Sequence, residues 1–234
     1  MIKANKIIEI LYKEREGFKF VSFQEKIINT KLKIIGVKVP VLRKLAKQIY
    51  KQNQIVEFND VTDDFFECVV LEGFLIGFEK NQEKLKLKLN NFFKKMDNWA
   101  VVDMVCASLK YFKKELNKSD FEYFKSLLLS DDLFTVRFGL VCLLKFFSDK
   151  QFNDDVFDAL KLVKCGEYYV DMAIAWLISE IIIKNVQNAE KIVKKVKLIN
   201  NLNTFIVNKS VDKVCDSYRV NKSVKQKLRK MKLK

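Results

Sequence analysis

Trp99 and Asp103 stand four residues apart in the segment DNWAVVDMV, the spacing that sets two side chains on one face of a helix. The short pattern around Asp103 returns twice at intervals of 34 residues, as Val102-Asp103-Met104, Val136-Arg137-Phe138 and Val170-Asp171-Met172. A carboxylate fixed in place stabilises positive charge where it develops. An indole face attracts the same charge, and an arginine fork can grip a phosphate at two points. Trp176, one and a half turns beyond Asp171, is the second indole of the chain. His is absent altogether, which excludes triads with a His base and zinc sites built on imidazole.

The elements that must carry these residues follow from the same repeat. Apolar residues continue after each copy (VCASLKYF, GLVCLLKFF, AIAWLISEI). A fixed period of this size suits helix pairs stacked side by side. The tetratricopeptide consensus, which shares the period, is not visible, so the expected architecture is all-α, an α-α superhelix (solenoid) of HEAT-like helix pairs. Equivalent positions on stacked helices form a row, with neighbouring axes about 8–10 Å apart. Asp103, Arg137 and Asp171 are therefore expected to follow one another on one face, with Trp99 beside Asp103.

Helical periodicity runs through nearly the whole chain, while one Pro and six Gly leave few turn-makers for a sheet. Expected helices cover the first sixteen residues, a weaker segment over 20–29, and 40–50 after the break at Gly36-Val-Lys-Val-Pro40, with Pro40 in the first turn. Others run over 62–78, 83–95 and from a cap at Asp97 or Asn98 to Lys114. Ser119-Asp-Phe-Glu122 reads as a capping box. Further helices fit 132–147, 153–163, 167–184, 188–198, 204–218 and the tail. With no low-complexity linker in 1–234, the expectation is one domain.

The net charge is +15, from 44 Lys and Arg against 29 Asp and Glu. A hydrophobic content of 49% is too high for a disordered polycation. Such a charge on a folded chain points to nucleic acid, an anionic membrane surface or acidic proteins. From Arg219 to Lys234 every charged residue is basic, a block that suits an electrostatic contact or a solvated end. The five cysteines form no C-x-x-C pair and read as buried thiols of a reducing compartment. The amphipathic start lacks the apolar run of a signal peptide, and the most apolar stretches are interrupted by Glu72 and Glu180. A cytoplasmic protein, nucleoid-associated when bound, is expected.

Together these pieces resemble the AlkD family of DNA alkylation repair proteins, the HEAT-like alkylpurine DNA glycosylases. The resemblance spans about residues 20–222 and rests on IIGVKVPVLRKLAKQIYK, DNWAVVDMV, FTVRFGLV, YYVDMAIAWLISE and NKSVDKVCDSYRVNKSVK in that order. It implies Asp103 as the catalytic carboxylate of W-x-x-x-D, Trp99 as its indole, Arg137 as the arginine working beside it, and Trp176 as the indole around the lesion's deoxyribose. The implied activity is hydrolysis of the N-glycosidic bond of N3- or N7-alkylated purines in duplex DNA. The implied partner is double-stranded DNA, alkylated or distorted, approached by a monomer without membrane, metal or cofactor.

Two positions depart from the family. Asp171 stands where a basic or neutral residue is common, and its acid would repel phosphate or pair with Arg137. Ile27 stands where active members carry an aromatic residue, with Phe18, Phe20 and Phe23 nearby as substitutes. Lys38, Arg43, Lys44 and Lys47 around the Gly36–Pro40 break, and Lys209, Lys213, Arg219 and Lys222 near the end, are the expected DNA contacts. The alternatives are a noncatalytic DNA-binding relative for damaged, bent or branched duplexes, and a scaffold for acidic peptides. On those readings Asp103 and Arg137 make an interhelical ion pair and the indoles pack in the core.

Overall fold

The computed structural model describes residues 1–114 and 116–233. These residues form fourteen α-helices and no strand, so the chain is all-α. By its internal contacts the chain divides into two compact units, Met1–Glu115 and Leu116–Lys234.

The first unit holds α1 (Ala4–Lys13), α2 (Phe18–Ile27), α3 (Val39–Lys51), α4 (Asp60–Asp63), α5 (Phe66–Ile76), α6 (Gln82–Phe92) and α7 (Trp99–Ser108). Its centre is α5, apolar nearly all round and therefore buried on most sides. It packs against both α3 and α7. The approach to α7 is close because Gly73 and Gly77 face it. A Cβ at Gly77 would lie 2.7 Å from the Ser108 carbonyl oxygen, so no larger residue fits. The expected helix over 62–78 is two helices, α4 and α5. The Lys33 carbonyl accepts from the Phe66 N–H, and the Lys33 N–H donates to the Asp64 carbonyl, leaving Phe65 extended. Likewise α7 stops at Ser108 rather than Lys114. Leu109 turns extended, and the Lys110 N–H donates to the Gly77 carbonyl instead of back along the helix.

The second unit holds α8 (Lys118–Leu127), α9 (Leu133–Phe146), α10 (Asn153–Leu160), α11 (Tyr168–Lys184), α12 (Ala189–Lys197), α13 (Thr204–Asp216) and α14 (Lys222–Arg229). Here α11 packs between α9 and α13, while α9 also packs on α8. Every second helix thus lies on the next, as a repeat of helix pairs requires. The capping box at the start of α8 is formed by Asn117 and Asp120 and not by Ser119 and Glu122. The Asn117 side chain accepts from the Asp120 N–H, and the Asp120 carboxylate accepts from the Asn117 N–H.

The basic end is ordered. Leu228 of α14 is fully buried where α14 lies on α12 and α13. Lys227 meets Glu190 and Lys232 meets Asp212. The Asn208 side chain bonds both polar backbone groups of Leu233. Lys234 lies outside the described residues.

Candidate functional site

The short segment before α7 fixes where that helix points. Asn98 is fully buried and its side-chain oxygen accepts from the Val101 N–H at 3.0 Å, satisfying one of the unpaired donors of a helix start. Its amide group donates to Asp97 at 2.7 Å. Asp97 in turn accepts from the Thr30 hydroxyl and the Lys31 N–H. A carboxylate on three donors ties the start of α7 to the chain just after α2.

Trp99 completes that tie. Its indole N–H donates to the Ile27 carbonyl at 3.2 Å, one of the carbonyls that the end of α2 leaves without a helical partner. Val101, Val102, Val105 and Cys106 bury the far side of α7. Trp99 and Asp103 are left half-buried, one turn apart on the same face. The indole is thus a fixed edge of the fold rather than part of its core. Ile27 is 46% exposed, and Phe23, one turn earlier on α2, is 57% exposed. Phe20, Phe23 and Ile27 follow helical spacing for one face. The weaker segment expected over 20–29 is a full ten-residue helix, Phe18–Ile27, with Gly17 as its N-cap.

In the second unit Arg137 is buried on α9, and its Nη1 donates to the Tyr169 carbonyl in the first turn of α11 at 2.7 Å. The repeat therefore does place Arg137 against the helix carrying Asp171. Asp171 does not pair with it. One Asp171 oxygen accepts from the Gly166 N–H at 3.0 Å and the other from the Asn203 amide at 2.9 Å. Gly166 has φ +121°, a conformation that favours glycine, and Asn203 caps α13. Asp171 holds the entry of one helix to the start of the next.

Trp176 is half-buried on α11, with the Lys145 ammonium 5.4 Å from its ring centre. One turn on, Glu180 takes both arms of Arg219 at 2.9 and 2.7 Å. That fork holds the Glu180 carboxyl below its ordinary range and engages the arginine expected to meet DNA. Lys38 is bridged to Glu16 at 3.0 Å, both ends exposed, a pair of small worth. Arg43 lies on the Phe74 ring at 4.3 Å. Lys44, Lys47 and Lys222 are exposed, whereas Lys209 and Lys213 are half-buried.

Sequence reading missed Glu67. It is fully buried on α5 and accepts from the N–H groups of Ile35, Gly36 and Val37 at 2.9, 2.7 and 3.1 Å. This nest of donors, with Gly36 at φ +96°, sets the direction in which α3 and its cations start. An acid inside the apolar run FFECVVLEGFLIGF is the signal that marks it.

A family model described as "DNA alkylation repair enzyme" matches residues 19–226. The chain belongs to that family. Membership places it in DNA alkylation repair and points to DNA binding. No curated protein and no solved structure gives a match. Among the described residues of this repair-family chain, no helix is long and apolar enough to cross a membrane.

Proposed function

We propose that the protein hydrolyses the N-glycosidic bond of cationic N3- and N7-alkylpurines in duplex DNA. The observation that carries this reading is the pair Trp99 and Asp103, held rigidly on one accessible face of α7 in a DNA alkylation repair chain. A purine alkylated at N3 or N7 is already cationic. When the bond from C1′ to the base nitrogen breaks, the electron pair leaves with the purine and neutralises it, so no general acid is needed. The sugar left behind is oxocarbenium-like. The Asp103 carboxylate stabilises that charge and orients a water, which adds its hydroxyl to C1′ and gives up a proton. The Trp99 face adds cation–π attraction.

In the other unit, Arg137 serves to position a backbone phosphate and Trp176 offers an indole face toward deoxyribose. Phe23 takes the role of the aromatic residue absent at Ile27, since it projects from α2 one turn away. The test is single-turnover release of 3-methyladenine or 7-methylguanine from methylated duplex, with Asp103→Asn expected to abolish it. Release no faster than in protein-free controls, with protein in large excess, would sink the glycosylase reading.

One observation favours a second reading, a noncatalytic relative that binds distorted duplex. Ile27 presents an aliphatic side chain, and its carbonyl engages Trp99. Salt-sensitive binding without any excision is the outcome that selects it.

A further inference from the structure

The face of α7 that carries Trp99 and Asp103 continues, at the same four-residue spacing, to Ala107. Around Ala107 the first unit has a pocket of about 200 Å³ lined by Arg43 and Lys47 of α3, Phe74 and Phe78, and Lys110 and Lys113 just beyond α7. Four cations from two separate segments meet there. Several lysines elsewhere in this unit are matched with acids. Lys95 lies between Asp63 and Glu72, both at 2.8 Å, and Lys88 is on Glu79 at 2.6 Å. Among the described residues, Arg43, Lys47, Lys110 and Lys113 have no carboxylate partner.

Two of the four are placed by aromatic faces instead. The Arg43 guanidinium carbon is 4.3 Å from the centre of the Phe74 ring, and the Lys110 ammonium 3.7 Å from that of Phe78. A ring fixes a cation without neutralising it. Lys113 donates to the Ala107 carbonyl at 2.9 Å, so it too is held without an opposing charge. Crowding like charges around one small pocket costs free energy, and an anion entering it relieves that cost.

We propose that Arg43, Lys47, Lys110 and Lys113 form a phosphate clamp for the DNA strand whose sugar faces Asp103. Ala107 lies about 6 Å further along α7 than Asp103, so the clamp takes a phosphodiester within one or two nucleotides of the reacting sugar. The clamp rests on the reading of Asp103 given above. It adds a fixed register for the strand, supplied by a cluster of which only the α3 half was visible as a basic surface in the sequence. Crowding also leaves its mark on Lys110, whose ammonium is pushed below the ordinary lysine range by burial and then by Lys47, Lys113 and Lys114.

The test is duplex binding by the full chain as a function of salt, comparing wild type, Lys110→Gln/Lys113→Gln, and a control of equal charge, Lys191→Gln/Lys194→Gln. Removing two phosphate contacts is expected to flatten the slope of log K against log salt by about 1.8 and to weaken binding at 0.1 M salt by about tenfold or more. The control is expected to change the slope by less than about half as much. A second readout needs no variant: acylation of Lys110 in the wild-type chain, followed by mass spectrometry, is expected to be blocked by duplex DNA. Equal slopes for the two variants, or a Lys110 that duplex leaves reactive, would overturn the clamp. Protection by polyglutamate but not by duplex would overturn it as well. Asp103→Asn separates this failure from that of the glycosylase reading, because it should lose excision while keeping the wild-type slope and the protection of Lys110. A wild-type chain that does not bind duplex at all refutes the clamp together with the glycosylase reading.

Discussion

Replacing Glu67 by Gln tests how the first unit is held together with almost no change in side-chain volume. The two carboxylate oxygens divide three buried donors between them: Oε1 accepts from Gly36 and Val37, and Oε2 accepts from Ile35. A glutamine oxygen can keep one pair, but its amide group then points a donor at the third N–H. One charge-assisted bond is lost, worth roughly 1.5–3 kcal/mol, and a buried N–H is left without a partner, costing about 1–3 kcal/mol more. Relief from burying one charge offsets part of this, so the expected net loss is about 2–4 kcal/mol. Urea unfolding should show a lower midpoint with an unchanged slope. Hydrogen exchange should show faster exchange at Ile35, Gly36 and Val37, with little change at α6. A loss below about 0.5 kcal/mol, or unaltered protection of those three amides, would refute the claim that this carboxylate fixes the loop and, through it, the start of α3.

Asn98→Ala removes both the cap of α7 and the donor to Asp97. It is expected to cost about 1–2 kcal/mol in thermal or urea unfolding and to slow excision in single-turnover assays, since Trp99 and Asp103 ride on that helix. Glu79 gives a pH dependence. Its carboxyl is depressed from 4.5 to about 2, first by the hydrogen bond from Lys88 and then by the Asn81 N–H. A depressed acid contributes stability that is complete above the unfolded value and is lost as pH falls through the folded one. Glu79→Gln should therefore flatten the fall in stability between pH 4.5 and 2, and parallel slopes of the two proteins in acid would contradict this.

The sequence by itself determined the helices and their order, because those signals are local. Caps and the 3.6-residue apolar rhythm act between residues a few positions apart, and the 34-residue recurrence repeats one such local pattern. The stripe carrying Trp99 and Asp103 is of the same kind, as is the α3 run with Arg43, Lys44 and Lys47. What failed at this level were places where a distant backbone group outcompeted the local pattern. Phe65 leaves the helix because Lys33 takes its neighbour's N–H, and α7 ends early because Gly77 accepts from Lys110.

Only the tertiary structure decided what each polar side chain is for. Asp171 and Glu67 are both acids in apolar surroundings, yet each is occupied by donors some thirty residues away. Arg219 is forked on a glutamate and Arg137 reaches a carbonyl on the next helix. Lys110 and Arg43 come from segments more than sixty residues apart and meet over two rings of α5 and its end. A sequence specifies which residues share a helix face, since that follows from the geometry of one helix. Which faces meet depends on packing, and the free energy of a charge depends on what that packing places beside it.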